Sequence, residues 1–378
     1  MNRDNLSALA VGIAVVALIA GFGVYFNNPS LNAAVGNNNS GEFVTAISDN
    51  GTRVAIDKSQ FRQAPELAGI SNYINADEFK IADLKGKVVL VDFWTYSCIN
   101  CIRTIPYLNA WHEKYIDDGL VLVGIHAPEF DFEKNPDNVQ AAVEKFGIKY
   151  PVVQDNEHGT WDAYQNRYWP RKYLVDDEGY IRYDHIGEGS YGETEKVIQS
   201  LLQERAANSG QATTAIDGSI VRPDAQSVDF GQINTPELYF GYDYARAPLG
   251  NPEGFKPEQT VAYSIADDQK FEPHTIYVSG KWQNKPDYME LKSGVGRIVL
   301  EYSAKSVNIV AGGTNSTIHV SVDGRSPNAK GADVGEDGLF MVDGQRLYNV
   351  ASQRAYGDHR LVIDVIGEGF QIYTFTFG

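Results

Sequence analysis

The chain has 378 residues, of which 43% are hydrophobic and 12% aromatic, with two cysteines and a formal net charge of −17. This length and composition imply folded material in more than one domain. The acidic balance excludes a nucleic-acid surface, which needs a basic footprint, and disfavours a polybasic contact with anionic lipid. Acidic runs such as Asp176-Asp177-Glu178 read as solvated turns rather than cation sites.

The first element is the uncharged run Leu6–Phe26, "LSALAVGIAVVALIAGFGVYF", long enough to cross a hydrocarbon core as one helix. It is longer than the apolar region of a cleaved signal, although Ala33-Ala34 offers a cleavage site downstream. The reading adopted is an uncleaved signal anchor over residues 1–26. Arg3 precedes the run and no Lys or Arg follows until Arg53, so the positive-inside rule puts the N-terminus in the cytoplasm and the rest outside. Residues 27–64 form an Asn/Gly-rich stalk and lead-in, with a hairpin turn at Asn50-Gly51.

Between 65 and 204 strand-like and helix-like runs alternate. "KVVLVDFW" is a continuous apolar strand, and "CINCIRTIPYLNAWHEKY" has helical spacing through Ile102, Ile105, Leu108 and Trp111, with Pro106 as a kink. "GLVLVGIHAP" is a second buried strand, "NPDNVQAAVEKFG" a helix closed by Gly147, and "RKYLVDDEGYIRYDHIG" a pair of strands. "ETEKVIQSLLQE" is a last amphipathic helix. The order implies α/β layers around a mixed sheet. Residues 205–229 hold few large apolar side chains and read as a linker between halves that fold separately. From 230 to 378 short alternating strands, such as Ile318, Val320 and Val322 or Leu361, Ile363 and Val365, imply an all-β sandwich.

Both thiols lie in Cys98-Ile99-Asn100-Cys101. Structural zinc needs further ligands, and the seven histidines show no His-x(3–5)-His spacing. Covalent haem needs His after the second cysteine, where Ile102 stands. An inert disulfide competes less well than redox chemistry, because a strand here hands over to a helix at the first cysteine. Unsatisfied N–H groups and the helix dipole there favour a thiolate, the attacking species, and the second thiol one turn on resolves the intermediate.

"VDFWTYSCINC" resembles the thioredoxin active-site strand, with Asp92 six positions before the first cysteine and Phe93-Trp94 after it. "NRYWPRKYLVDDEG" places Trp169-Pro170 where that fold carries its cis-proline loop. With "GIHAPEFDFEK", "GEGSYGETE", "TPELYFGY" and "YTFTFG", the sequence from about 65 to 378 is similar to the extracytoplasmic region of DipZ-type proteins in the TlpA-like/redoxin group. The resemblance implies a thioredoxin fold followed by a jelly-roll-like, carbohydrate-binding-module-like sandwich. Unlike DipZ-type proteins, which carry a multi-helix membrane domain, this chain has one candidate span.

The resemblance further implies a membrane-anchored, extracytoplasmic thiol–disulfide oxidoreductase acting on protein thiols and disulfides. Cys98 attacks, Cys101 resolves and Asp92 moves the proton, with Trp94, Trp169 and Pro170 shaping the substrate groove. Neither metal nor other cofactor is implied beyond the Cys98–Cys101 couple, and electrons come from a separate membrane or soluble donor. Trp282, Tyr288 and Tyr302 could stack on a glycan, although filling the core is the commoner role for such residues. Two rivals stay open: a redoxin-type thiol peroxidase with Thr95 three positions before Cys98, and a non-catalytic surface glycan-binding protein.

Overall fold

Seven consecutive buried residues, Val88–Trp94, make β2 a central strand of the first domain. The computed structural model describes residues 57–209, 216–313, 315–325 and 330–378. The expected membrane span, the stalk and the Asn50-Gly51 turn lie outside them. Among the described residues no helix is long and apolar enough to cross a membrane.

The first sheet has six strands in the order β1-β4-β3-β2-β5-β6. Strand β2 runs parallel to β3 (Leu120–His126), and β3 runs parallel to β4 (Val152–Gln154). Strands β1 (Asn72–Ile74), β5 (Arg171–Val175) and β6 (Ile181–Ile186) join antiparallel. Helix α1 (Ile99–Tyr115) crosses from β2 to β3 and contains Pro106 without a break in its assigned span. Helix α2 (Pro136–Lys145) has its N-cap at Asn135, and Gly147 follows it at φ +65°. The short α3 (Gly159–Ala163) precedes β5, and α4 (Tyr191–Asn208) closes the domain. This mixed sheet flanked by helices is the expected thioredoxin fold.

One surface reading is corrected here. Asp176 is buried, its carboxylate holding Lys58 at 2.9 Å and Arg182 at 3.0 Å. It also accepts the N–H groups of Glu178 and Tyr180, so it anchors the β5–β6 turn from inside.

The second domain is corrected in architecture. Strands β7 (Leu238–Tyr239), β8 (Thr260–Tyr263), β9 (Ile276–Asn284), β10 (Met289–Leu291) and β11 (Val295–Gly313) come first. They are followed by β12 (Ser316–Val322), β13 (Leu339–Val342), β14 (Arg346–Ile366) and β15 (Phe370–Phe377). All belong to one nine-stranded sheet rather than to two facing sheets. The cause is β11, which pairs with β9 through Arg297–Leu300 and with β15 through Val307–Gly313. Because β15, β10 and β9 also pair in turn, that part of the sheet closes on itself like a barrel. Register shifts on β11 near Ala304, Val307 and Val310 supply the bend. Trp282 and Tyr302 fill the interior, which removes them as sugar-stacking residues. Tyr288 lines a cleft between the domains instead.

The two halves are not loosely tethered. Residues 216–221 dock through hydrogen bonds to groups on α1 and α4. Lys114 donates to Ser219, the Val221 N–H donates to buried Glu195 at 2.8 Å, and Gln199 donates to the carbonyls of Asp217 and Ser219. Across the main interface Tyr373 packs against Phe130 and Phe132, with ring centroids 5.1 and 4.8 Å apart. The Tyr96 hydroxyl donates to the Gln345 carbonyl, and that of Tyr244 to the Glu129 carbonyl.

Candidate active site

Strand β2 alternates its side chains between two faces. Phe93 turns into an aromatic cluster with Trp161, Tyr164 and Tyr173. Asp92 points to the opposite face and is only 3% exposed. Burial raises its carboxyl to about 7, against the pull of the Lys172 ammonium. Lys172 lies directly across from Asp92 in the β2–β5 register and is 0% exposed. Its Nζ donates to the Gly187 carbonyl at 2.9 Å. Burial lowers the affinity of Lys172 for its proton, while Asp92 and Cys101 pull the other way.

The strand ends and Cys98 caps α1, its Sγ accepting the Cys101 N–H at 3.3 Å. Both thiols are free, Cys98 half-exposed and Cys101 buried behind it. Burial, then the neighbouring Cys98 sulfur, pushes the Cys101 thiol well up, and the Asp92 charge adds to this. A buried thiol that resists ionisation beside a carboxyl poised near neutral pH is a proton donor matched to an acceptor.

Cys98 opens into a cavity of about 430 Å³. One wall is Ser97 to Asn100 with Trp169, and the other comes from the β domain, including Ile233, Tyr239, Val310 and Phe377. The expectation of separate halves is therefore corrected at the site as well, because β-domain side chains roof the thiol. The Trp169-Pro170 bond is cis, and Trp169 donates from its indole to the Ala127 carbonyl at 2.9 Å while packing on Trp161. Pro170 is buried behind Trp169, its carbonyl accepting the Gly187 N–H. Trp94 does not shape the groove: it is 1% exposed, edge-on to His126 in the interior. Thr95 is also buried, with Oγ1 3.4 Å from His126 Nε2, and does not line the cavity a peroxide would enter. Among the described residues no three His, Cys, Asp or Glu side chains are grouped to hold a metal.

The loop after β3 contributes residues that the motif reading passed over. Ser97 donates to buried Glu133 at 2.5 Å, and the same carboxylate accepts the N–H groups of Glu129 and Phe130. Glu129 thereby reaches the cavity edge. Two signals were present: Glu129 and Glu133 flank aromatics in "APEFDFEK", and Lys172 stands two positions after the proline at the head of a largely apolar strand.

Residues 62–184 match the AhpC/TSA family and residues 235–378 match a thioredoxin like C-terminal domain. The chain thus joins an AhpC/TSA-type domain on a thioredoxin-like fold to a thioredoxin like C-terminal domain. It is 37% identical over 322 residues to Protein DipZ of Mycobacterium tuberculosis, an alignment covering 83% of this chain and 43% of that protein. The chain thus spans less than half the length of the DipZ proteins it matches. It is 29% identical over 140 residues to thiol-disulfide oxidoreductase YkuV of Bacillus subtilis, covering 37% of this chain and 94% of that one. With thiol-disulfide oxidoreductase ResA of Halalkalibacterium halodurans it shares 26% over 130 residues, 34% of this chain and 69% of the relative.

Proposed function

We propose that the protein is a membrane-anchored, extracytoplasmic oxidoreductase that exchanges disulfides with protein substrates through Cys98 and Cys101. The observation that carries this reading is the layering of the site: a half-exposed thiol in a cavity, a buried thiol one turn behind it, and a carboxyl near pH 7 beneath both. Cys98 forms the mixed disulfide. Cys101 gives its proton to Asp92 and displaces the substrate from Cys98. The couple needs no cofactor of its own, and a separate donor or acceptor resets it. Anchoring rests on the apolar run Leu6–Phe26 and its flanking charges.

Cys101→Ser should trap substrates as mixed disulfides on Cys98, seen as reducible adducts on gels, and Cys98→Ser should trap none and reduce no insulin. Insulin reduction by Cys98→Ser at the native rate would sink the assignment.

A further inference from the structure

Glu129, in the loop after β3, and Glu237, just before β7, meet at one hydroxyl. Tyr239 Oη lies 2.7 Å from Glu129 Oε1 and 2.8 Å from Glu237 Oε2. A phenol has one proton to donate and can satisfy only one of these carboxyl oxygens. The other holds its short separation by donating a proton of its own to the phenol oxygen, since two bare oxygens at that distance repel. The bridge therefore stores one carboxyl proton, shared across the domain joint. All three side chains line the cavity that holds Cys98.

The surroundings favour keeping that proton. Burial, then Glu237 and Glu133, push the Glu129 carboxyl well up, and burial pushes Glu237 up against the pull of Tyr239 and Arg246. Arg246 sits over the Tyr239 ring at 5.2 Å, and Tyr244 donates to the Glu129 carbonyl. Glu133 is engaged by Ser97, Arg167 at the rim faces Asp162 at 3.7 Å, and His274 is bonded to Thr235 at 2.8 Å.

We propose that Glu129 and Glu237, bridged by Tyr239, form the proton donor for the substrate sulfur that departs when Cys98 attacks. This rests on the exchange reading of the Cys98–Cys101 pair. The Cys98 thiolate attacks RS–SR′, the Cys98–SR bond forms, the substrate S–S bond breaks and R′S⁻ leaves. Displacement at sulfur is in line, so R′S⁻ departs away from Cys98 into the cavity, on the side remote from Asp92. The shared carboxyl proton converts R′S⁻ to R′SH, and the ionised pair takes a proton back from water. Cys101 then passes its proton to Asp92 and attacks Cys98, and the second thiolate, RS⁻, is protonated in the same way. Two electrons move from the enzyme dithiol to the substrate disulfide. In the oxidising direction the same groups accept the substrate thiol's proton.

The test compares two small disulfides in single turnover with the full chain. Bis(2-hydroxyethyl) disulfide releases a basic alkyl thiolate that needs a proton. 5,5′-Dithiobis(2-nitrobenzoate) releases an aryl thiolate that does not. The Glu129→Gln/Glu237→Gln variant should lose about tenfold or more with the alkyl substrate relative to the aryl one. It should also lose the alkaline decline of the alkyl profile. Tyr239→Phe, which keeps the ring, should shift the ratio in the same direction. Equal losses with both substrates would reduce the three residues to a wall or a domain latch, and no loss would make them bystanders. Either result overturns the proposal while leaving the exchange reading intact. That reading fails separately if Cys98→Ser still reduces the aryl disulfide.

Discussion

Replacing Asp92 by Asn should stabilise the fold and slow turnover together, and burial sets the size of the first effect. The Asp92 carboxyl moves from an ordinary 3.8 to about 7 in the folded protein. Below about pH 4 it is protonated in both folded and unfolded chains and carries no penalty. As pH rises the unfolded chain ionises first, so the stability due to this group falls and is fully lost above the folded value. At about 1.4 kcal/mol per pH unit, the interval amounts to about 4 kcal/mol. Asn escapes this penalty but leaves Lys172 without its partner, so about 4 kcal/mol is the ceiling of the gain. Urea unfolding of both proteins at pH 4 and pH 8.5 measures it: the advantage of Asn should be small at the first pH and larger by up to this amount at the second. Taking the difference between the two proteins cancels groups they share, including His126, which titrates in the opposite sense. Turnover at neutral pH should meanwhile fall, because the buried Cys101 thiol loses its acceptor. An advantage that does not grow with pH would refute the argument, since it would mean that Asp92 is not charged at a cost inside the fold.

Lys172→Met removes the pull that holds the Asp92 carboxyl down, so the pH at which turnover reaches half its maximum should move to the alkaline side. At pH 7 this costs about tenfold for each pH unit the profile moves; an unmoved profile would place Lys172 outside the proton path. His126 is buried and neutral, lowered to about 3 by burial. The unfolded chain protonates it near 6.5, so its stabilising contribution is present above that value and drains away as pH falls towards 3. His126→Gln should flatten acid unfolding over that range by up to about 5 kcal/mol in total. Curves of equal steepness would contradict the neutral assignment.

Much of the first domain was legible in sequence because its signals are local. The apolar run 88–94, followed shortly by Cys98, marks strand and helix start in one stretch, and Asp92 was singled out through the resemblance to the thioredoxin active-site strand. Trp94 was misread as a groove residue because it shares a face of β2 with Asp92, and that face points inward. Lys172 needed the register between β2 and β5, which composition does not encode. In the β domain the alternating runs within β12, β14 and β15 were readable, but whether strands form two sheets or one is decided by β11. Its two halves pair with different partners through irregularities that leave no periodic mark. The docking of 216–221 was missed because the stretch from 205 on was judged as a whole by its apolar content, whereas the contacts of this part are hydrogen bonds with Glu195, Gln199 and Lys114.

The roof over Cys98 changes what the second domain is for. An accessory module would leave the thiol facing water, as a surface on which any folded protein could settle. Here Phe130 and Phe132 are buried against Tyr373, and the wall opposite Trp169 is built from Ile233, Tyr239, Val310 and Phe377. A cavity of about 430 Å³ admits a small disulfide or an extended cysteine-bearing segment, and a folded globular surface is too broad to enter it. On the proposed mechanism the Cys98–Cys101 pair lies between two acid groups: Asp92 on β2 would serve the inner thiol, and the Glu129–Tyr239–Glu237 bridge at the joint would serve the sulfur in the cavity. Each proton is handled on the side of the couple where it is released. Only with both domains in place is the proton-sharing bridge assembled, which gives the joint a chemical reason as well as a packing one.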